Sequence, residues 1–371
     1  LGAARLTSFM SEYGLSDLQA MAQLVQRLSE KAMRDAVRRM PDGEYRSEIQ
    51  CRQLGDTLSY PVKLTVTGDE IDIDFEGAPP QLPRGGLNST LNYTVAHATY
   101  PLKCLLTPDI RGNAGCYRPF RVKAPAGSAL NPNYPASVSM RTRTGWYIAP
   151  NIFQALSQAA PGGVQAHTGL PIVTRVYCQT PSGIDAGHMF MGGGQGGSKG
   201  RDGHSTLLWP TSASNTAVEV FEARVPALVT EKAYLPDSGG AGAYRGGLGQ
   251  RLRMRKLYDD GLTMQVGLFP EPPGMAVGGL FGGAPGKGGG GRILNAAGQE
   301  VHNVGDGELV RIARTDQLVE ISTNGGSGYG DSRQRAPEAV AEDIRLGYVT
   351  GVAARVDHAR AEAAPHLEGA K

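Results

Sequence analysis

The chain contains few cysteines and no close cysteine pair. Its four cysteines, Cys51, Cys104, Cys116 and Cys178, are far apart and form no C-x-x-C motif. This spacing argues against a zinc ribbon, because the ligands of such a site come in close pairs. The pattern favours reduced thiols, as in a cytoplasmic protein.

Long apolar runs and a strong net charge are also missing. No stretch of about 18 apolar residues occurs, so the sequence predicts no membrane span, and no signal peptide is visible. The formal net charge is only +2 over 371 residues, which gives no extended basic surface for nucleic acid or lipid. We therefore expect a cytoplasmic protein that binds neither nucleic acid nor membrane.

The motifs of several common enzyme classes do not occur. The Walker A pattern G-x-x-x-x-G-K-[ST], the H-E-x-x-H pair and the G-x-S-x-G nucleophile elbow are all absent. Gly242, Gly246 and Gly249 make no convincing dinucleotide fingerprint, because they follow no clean apolar strand and precede no amphipathic helix. The seven histidines are scattered, so the sequence assigns no metal ligand.

Glycine, in contrast, is abundant. It occupies 52 of the 371 positions, about twice its average usage, in clusters without a fixed period. Because apolar segments separate the clusters, they favour long ordered loops over disorder. Residues 237–249, DSGGAGAYRGGLG, combine six glycines with an acid and an arginine. Glycine adopts φ > 0 and lets other groups approach the backbone, so this stretch is either a structural turn or a loop that wraps a ligand.

The clearest predicted helix spans residues 16–40. Ser16 and Gln19 form a capping box at its start, and Pro41 ends it. Its apolar positions recur at helical spacing: Leu18, Met21, Leu24, Val25, Leu28 and Ala32.

Further elements follow along the chain. Residues 61–75 alternate apolar and polar side chains around a TGDE turn and predict a β-hairpin. Residues 88–106 predict a helix that breaks or kinks near Pro101. Residues 146–160 predict another helix, entered through RTRTG and interrupted early by Pro150.

The second half of the chain has a different character. From about residue 172 to residue 330, short strands such as IVTRVYC and LVEIS alternate with long glycine loops, and a last helix is predicted near residues 337–346. We therefore predict a mixed α+β protein. It has a helix and hairpin part over residues 1–165, a β-rich part with long Gly-rich loops over 166–335, and a C-terminal helix and tail over 336–371.

Candidate site residues lie in four loops that combine glycine or proline with polar side chains. Such loops often carry function on a rigid scaffold, and arginine there suits a carboxylate or phosphate. The loops are PDIRGNAGCYRPF (108–120), NPNYPASVSMRTRTGW (131–146), GGGQGGSKGRDGHS (192–205) and residues 237–249. The predicted substrate-binding residues are Asn113, Arg118, Arg143 and Arg245. The predicted catalytic residues are Asp202, His204 and Asp237.

Each of these residues also has a structural explanation. Asp202-Gly203 is a common turn dipeptide. Asn113 suits a turn cap, and Arg118 suits an ordinary salt bridge. The sequence leaves these alternatives open.

Together, these stretches resemble the hydantoinase B / oxoprolinase family. The resemblance also includes AGSALNPNYPASV, RTRTGWYIAP, NTAVEVFEARVPALV and NGGSGYGDSRQRAPEAVAEDIRLGYV. The order and approximate spacing of the motifs fit from about Leu1 to about Arg355, and the set is specific although no single motif is.

The resemblance implies a heteromeric enzyme. Family members act as the B subunit, or B half, of ATP-dependent enzymes on cyclic amides or ketones. A hydantoinase A-type partner holds ATP and Mg²⁺ and phosphorylates an oxygen of the substrate or of bicarbonate. The B subunit then completes hydrolysis or carbon–carbon bond formation.

Three functions remain open on this basis. We favour a B-type subunit of an ATP-dependent cyclic-amide hydrolase of the hydantoinase/oxoprolinase type. In it, Arg118 and Arg245 would hold a carboxylate or phosphate, Asn113 would hydrogen-bond an amide, and Asp202, His204 or Asp237 would move protons or orient water. The alternatives are a ketone carboxylase of the acetone/acetophenone type and a non-catalytic assembly subunit.

The sequence departs from the family at its start. B subunits of the family carry an upstream segment whose His and Asp residues are associated with a divalent metal, whereas this chain begins with LGAARLTSFM. We expect that segment to lie on another chain or to have been cut or left out. The expected assembly is a hetero-oligomer with a divalent metal whose ligands are not assigned to this chain.

Overall fold

The protein has the α+β architecture that the sequence predicts. The computed structural model describes residues 1–211, 213–268 and 278–358. The α-helices described are Gly2–Glu12 (α1), Gln19–Val37 (α2), Leu91–Leu106 (α3), Ala114–Tyr117 (α4), Arg141–Leu156 (α5), Val218–Glu222 (α6), Pro337–Arg345 (α7) and Gly351–His358 (α8). Within those residues, no helix combines the length and the apolar composition that crossing a lipid bilayer requires.

The described strands form three sheets. In chain order the strands are Gly43–Gln53 (β1), Asp56–Thr67 (β2), Glu70–Asp74 (β3), Phe120–Lys123 (β4), Ile172–Thr180 (β5), Gly183–Met191 (β6), Ala227–Tyr234 (β7), Gln250–Lys256 (β8), Met264–Gly267 (β9), Gly288–Leu294 (β10), Glu300–Asn303 (β11), Leu309–Ile312 (β12) and Leu318–Asn324 (β13). The sheet orders are β1-β2-β3-β4, β11-β10-β13-β8-β7 and β12-β9-β5-β6.

The first sheet contains the predicted hairpin. β2 and β3 pair antiparallel, and their apolar positions alternate with polar ones, so that Leu64, Ile71 and Ile73 are fully buried. β4 runs parallel to β3. This arrangement is possible because α3 and α4 lie between the two strands in sequence and carry the chain back.

Two helix boundaries differ from the prediction. The capping box at Ser16 is wrong: α2 begins at Gln19, whose N–H donates to Asp17 Oδ1 at 2.7 Å. α5 begins at Arg141 and ends at Leu156, whereas the prediction placed this helix at 146–160. The helix continues through Pro150 because nearly every residue around it is buried, and that packing outweighs the lost hydrogen bond.

Other predicted elements are confirmed. The helix predicted at 88–106 is α3, IVTRVYC lies in β5 and LVEIS lies in β13. The predicted break near Pro101 is wrong, because α3 runs as one helix from Leu91 to Leu106. The last predicted helix corresponds to α7. Residues 359–371 of the predicted tail lie outside the described residues.

Two hydrophobic cores divide the described chain. The first packs the face of the β1–β4 sheet against α2, α3 and α5. The second lies between the other two sheets, where Val176 and Val266 of one sheet share a core with Leu252 and Ile321 of the other. Both cores consist of ordinary aliphatic side chains, so they do not explain the abundance of glycine.

The glycines have their own layer. We call residues 166–169, 192–203, 238–249, 283–286 and 324–329 the glycine layer, because these segments lie backbone against backbone. Hydrogen bonds join them across long sequence distances: Gly194 N–H to Asn324 O (3.0 Å), Gly247 N–H to Gln195 O (2.8 Å), Gly326 N–H to Gly247 O (2.9 Å) and Gly240 N–H to Gly326 O (2.8 Å). The glycine loops are therefore an ordered part of the fold.

Side chains are excluded from this layer by distance. A Cβ atom on Gly246 would lie 1.8 Å from the carbonyl oxygen of Gly326, and one on Gly194 would lie 1.9 Å from that of Gly247. A rigid backbone oxygen gives way less easily than the end of a side chain. Glycine is therefore required here by close approach of the backbones.

The first prediction tests this packing. We expect Gly246→Ala to lower the free energy of unfolding by about 3 kcal/mol, because the added methyl group forces hydrogen-bonded backbones apart. The control is Gly162→Ala, where a Cβ would meet no heavy atom within 4 Å. Urea unfolding of both variants measures the difference. Equal midpoints for the two variants would show that the layer is loosely packed.

Candidate functional site

The structure brings four of the seven predicted site residues to the glycine layer and places the other three elsewhere. Asn113 and Arg118 contact α2, and Arg143 contacts Asp306. Of the four at the layer, Asp202 and Arg245 lie within it, and His204 and Asp237 directly adjoin it in sequence.

A buried ionic network lies beneath these loops. Arg335 donates two hydrogen bonds to the Asp202 carboxylate, at 2.7 and 2.8 Å. It also donates to Asp343 Oδ2 at 2.7 Å, and Arg245 Nε donates to the same oxygen at 3.1 Å. Finally, the backbone N–H of Arg245 donates to Asp202 Oδ1 at 2.7 Å. We call Asp202, Arg245, Arg335 and Asp343 the Asp343 network.

The network fixes the charge of Asp202. Burial acts to raise the pKa of this carboxyl, but the hydrogen bonds and charge of Arg335, with the charge of Arg245, outweigh it and lower the pKa below its ordinary value of 3.8. Asp202 therefore stays ionised at neutral pH. That state suits orienting neighbouring groups better than donating a proton.

Two members of the network, Arg335 and Asp343, were not among the predicted site residues. Both lie in the stretch NGGSGYGDSRQRAPEAVAEDIRLGYV, where Arg335 precedes Pro337 and Asp343 sits on α7. In their local sequence, Arg335 resembles an ordinary polar residue before a helix, and Asp343 resembles an ordinary polar residue within one. Only their contacts with the distant Asp202 and Arg245 show that they serve the glycine layer.

The turn that carries Asp202 borders a small pocket of about 190 Å³, which we call the glycine-layer pocket. Its polar rim includes Gln165, Gln195, Ser198, Arg201 and Asp202. Pockets for drug-sized ligands measure roughly 300–1,000 Å³. This one therefore suits a molecule of only a few heavy atoms.

The opposite wall of the pocket is aromatic. Phe153 and Trp209 line it, and their rings stack with centroids 5.8 Å apart. The ring centroids of Tyr100 and Trp209 lie 6.0 Å apart, so Tyr100 packs against Trp209. An apolar wall facing a few convergent polar groups is the usual composition of a ligand pocket, and a flat ring fits against such a wall.

The amide side chains of the rim form a chain of hydrogen bonds. Gln195 Nε2 donates to Gln165 Oε1 at 2.6 Å, and Gln165 Nε2 donates to Thr168 Oγ1 at 3.0 Å. The backbone N–H of His204 donates to Gln195 Oε1 at 3.3 Å. The orientation of both glutamine amides is thereby fixed.

The mouth of the pocket is cationic. Arg201 lines the pocket, and Lys199 lies two residues before it in the same exposed turn, which mutual backbone hydrogen bonds between Ser198 and Arg201 close at 3.0 Å. Arg201 Nη2 contacts His204 Nε2. Lys199 and Arg201 were not predicted as site residues, although both lie in the loop GGGQGGSKGRDGHS.

Asn113 and Arg118 use their donors within the protein. Asn113 Nδ2 donates to Ser29 Oγ at 2.8 Å, and its side-chain oxygen caps α4 by accepting from Gly115 N–H. Arg118 donates to Glu30 and Gln26 of α2, at 2.9 and 2.7 Å. Their predicted role in substrate binding stays a prediction, while the observed contacts position α2.

Asp237 anchors the C-terminal helix. It accepts hydrogen bonds from the N–H and the hydroxyl of Thr350, at 2.7 and 3.0 Å, immediately before α8. Its own backbone has φ of +61°, a left-handed conformation uncommon outside glycine. Its catalytic role stays a prediction.

Arg143 lies beside a second, larger cleft of about 690 Å³. Its guanidinium is buried and pairs with Asp306, which lines the cleft, at 2.6 Å. In the wall, Arg251 pairs with Glu231, and Arg292 pairs with Glu320. Because the wall charges largely balance one another, we place the candidate anion site at the glycine-layer pocket.

The described residues do not fit a metal ion. Among residues 1–211, 213–268 and 278–358, no group of three His, Cys, Asp or Glu side chains is arranged to hold one. The divalent metal that the resemblance implies therefore has no ligand set in the described part of the chain.

The second prediction concerns the Asp343 network. We expect Asp343→Asn to lower the free energy of unfolding by about 3–5 kcal/mol, because it removes the carboxylate that pairs with the buried Arg245 and one of the two that pair with Arg335. Thermal and urea unfolding measure the change. The control, Asp316→Asn, removes one partner of the exposed pair with Arg314 and should have no measurable effect. If both variants unfold like wild type, the network does not anchor α7.

The third prediction concerns pH. A carboxyl whose pKa is lowered on folding stabilises the protein above its unfolded pKa, and this stabilisation is lost as pH falls through the folded pKa. We therefore expect Asp202→Asn to lower the melting temperature clearly at pH 6, and less as pH falls below 3.8. Scanning calorimetry from pH 6 to pH 2 measures the gap. A gap that is constant across this range would contradict the assignment.

Solved structures share this fold. The ATP-dependent caprolactamase from Pseudomonas jessenii matches with a TM-score of 0.82 and 23% identity, over 100% of this chain and 65% of that chain. A nucleotide-free acetone carboxylase structure matches with a TM-score of 0.72 and 19% identity, over 89% of this chain and 51% of that chain. At these low identities, the similarity shows a shared fold and nothing more.

Curated relatives extend the comparison. The putative D-/L-hydantoinase B subunit of Pseudomonas sp. (strain NS671) is 28% identical over 96% of this chain and 62% of its own length. The caprolactamase beta subunit of Pseudomonas jessenii is 27% identical over 96% and 63%, and 5-oxoprolinase 1 of Arabidopsis thaliana is 26% identical over 89% and 26%. The chain thus spans about three-fifths of the first two relatives.

The family comparison agrees with the motifs read from the sequence. Residues 1–332 match the family described as Hydantoinase B/oxoprolinase, so the predicted resemblance is confirmed. The chain belongs to the Hydantoinase B/oxoprolinase family.

Proposed function

We propose that this chain is part of a B-type subunit of an ATP-dependent cyclic-amide hydrolase. It would open the ring of a substrate that a hydantoinase A-type partner has activated by phosphorylation. The observation that carries the proposal is the glycine-layer pocket, which combines an aromatic wall, oriented amides and a cationic mouth in a member of this family.

The chemistry explains why two subunits would share the work. An amide carbonyl is a poor electrophile because the nitrogen lone pair is delocalised into it. Phosphorylation of the carbonyl oxygen activates the ring carbon towards water. One water attacks that carbon, the ring C–N bond breaks as the nitrogen takes up a proton and leaves, and a second water hydrolyses the resulting acyl phosphate to a carboxylate and phosphate. The activated intermediate is labile, so a closed path from one subunit to the other protects it from bulk water.

The rim residues suit the recognition of a cyclic amide. Gln165 and Gln195 line the pocket. Beyond the hydrogen bonds that orient them, each amide keeps a second N–H and a second oxygen lone pair, which match the C=O and N–H of a lactam. Phe153 and Trp209 would stack on the ring and exclude water. The small volume favours a single five- to seven-membered ring over a larger substrate.

The cationic mouth suits the phosphoryl group. We assign Lys199 and Arg201 to hold phosphate oxygens, since arginine binds them with two parallel hydrogen bonds. His204 would orient the attacking water or accept its proton. Asp202, held ionised by Arg335, would keep the turn in place. Arg245 would help to hold these loops through its hydrogen bond to Asp343.

The relatives support this substrate class. Hydantoin, caprolactam and 5-oxoproline, the compounds after which these relatives are named, are all cyclic amides. Two of the relatives are themselves B or beta subunits by name, which supports a hetero-oligomer. We therefore propose that this chain works with an A-type subunit that holds ATP and Mg²⁺, and with a polypeptide that carries the divalent-metal segment.

A ketone carboxylase is the second candidate, because acetone carboxylase shares the fold. It also needs an anion cradle beside an activated carbonyl. ATP hydrolysis by the assembled complex separates the two reactions: a hydrolase responds to a cyclic amide without bicarbonate, whereas a carboxylase requires a ketone and bicarbonate. Strict dependence on bicarbonate would overturn the hydrolase proposal.

The fourth prediction tests the pocket in the assembled complex. We expect Arg201→Gln and His204→Gln each to lower kcat/KM for the cyclic amide by roughly 10²–10³-fold, since charge-stabilising contacts and proton transfer contribute at this scale. The control is the exposed Arg224→Gln. Native mass spectrometry verifies that each complex assembles.

A third candidate, the assembly subunit, is tested by the same variants. If Arg201→Gln and His204→Gln leave the activity per complex normal, the pocket is not catalytic. If they instead prevent assembly, the loops serve as packing surfaces for a partner.

A further inference from the structure

The two N-terminal helices expose an apolar face. None of the residues of α1 is buried, and the first half of α2 leaves large side chains in solvent, with Leu24 49% and Leu28 59% exposed. We call this surface the α1–α2 apolar face. Its main side chains are Phe9, Tyr13, Met21, Leu24, Val25 and Leu28.

Such a pattern ordinarily lies against another element. Met21, Leu24, Val25 and Leu28 recur at i, i+3, i+4 and i+7, the spacing of a helix face that packs on a neighbour. Burying each large aliphatic side chain is worth about 1.5–3 kcal/mol. Moreover, a helix as short as α1 is marginal by itself in water. Exposed apolar side chains at this spacing mark an interaction site.

The face is held firmly from the other side. Met33 and Val37 of α2 are fully buried in the first core. Arg118 binds two residues of α2, Asn113 binds a third, and Gly115 lies so close that a Cβ there would be 2.0 Å from the carbonyl oxygen of Gln26. α2 is therefore a rigid platform whose free side is apolar.

The lengths of the relatives indicate what covers this platform. The caprolactamase structure contains a counterpart of this whole chain, which accounts for 65% of its own length. The hydantoinase B subunit and the caprolactamase beta subunit likewise extend beyond the shared region. If that additional polypeptide packs on the shared fold, an apolar helix face is a surface on which it gains the most from burial.

We propose that the α1–α2 apolar face docks the polypeptide equivalent to the part of these relatives that this chain does not span. The contact is a helix face buried in an apolar groove or against an apolar helix of that polypeptide. The inference needs the family assignment but not the cyclic-amide reaction, so the two proposals fail separately.

Site-specific photo-crosslinking tests the occupant. p-Benzoylphenylalanine is placed at position 24 or 28 in cells that encode this chain, and at Val356 of α8, 77% exposed, as the control. We expect positions 24 and 28, and not 356, to form crosslinks to peptides that align with the unmatched part of the hydantoinase B-type relatives, within one polypeptide or between two. Crosslinks to a second copy of residues 1–371, to an A-type subunit, or to no peptide would overturn the proposal.

A charge substitution tests the energetics. We expect Leu24→Glu with Leu28→Glu to lower recovery of that polypeptide with the tagged chain by on the order of tenfold or more, as for interface anchors. The control is Val352→Glu with Val356→Glu, two exposed positions of α8. The melting temperature of the isolated chain should not change, because Leu24 and Leu28 are exposed in it. Unchanged recovery, or an equal loss in the control, would contradict the inference.

Discussion

Close approach of backbones in the glycine layer is the constraint on which the candidate site depends. Gly194, Gly246 and Gly247 lie where any side chain would collide with a carbonyl oxygen. The loops can therefore exchange backbone hydrogen bonds over sequence distances that are normally bridged by sheets. The result is a rigid layer of loops, on which a few polar side chains point into the pocket. Side chains on such loops can be held as precisely as side chains on helices or strands.

Buried ion pairs also hold the loops of the glycine layer in position. The Asp343 network ties the Asp202 turn and the Arg245 loop to α7 through carboxylates and guanidinium groups that are largely buried. A buried ion pair of this kind adds little net stability over an apolar one, but it is costly to break. It therefore fixes the position of the turn that carries Arg201 and His204. Arginines thus have the same role in two places: Arg335 and Arg245 position the loops at the pocket, and Arg118 positions α2.

Part of the candidate site was predictable from the sequence. The loop GGGQGGSKGRDGHS and residues 237–249 were identified as a source of site residues, and the structure places them together. The sequence did not reveal Arg335 and Asp343, because their partners lie far away in the chain. It also did not separate Asn113 and Arg118 from the pocket residues, since an arginine that binds a phosphate and one that binds Glu30 have the same local setting.

The sequence by itself determined the family and the elements with the clearest periodicity. Alternation of apolar residues gave β2 and β3, helical spacing gave α2, and the ordered motifs gave the family, because these signals are local or are read in order along the chain. Only the tertiary structure decided what the glycines and charges do. Whether a glycine turns the chain or admits a second backbone, and whether an apolar stripe is covered or exposed, depends on neighbours distant in sequence. Local patterns carry no information about those neighbours.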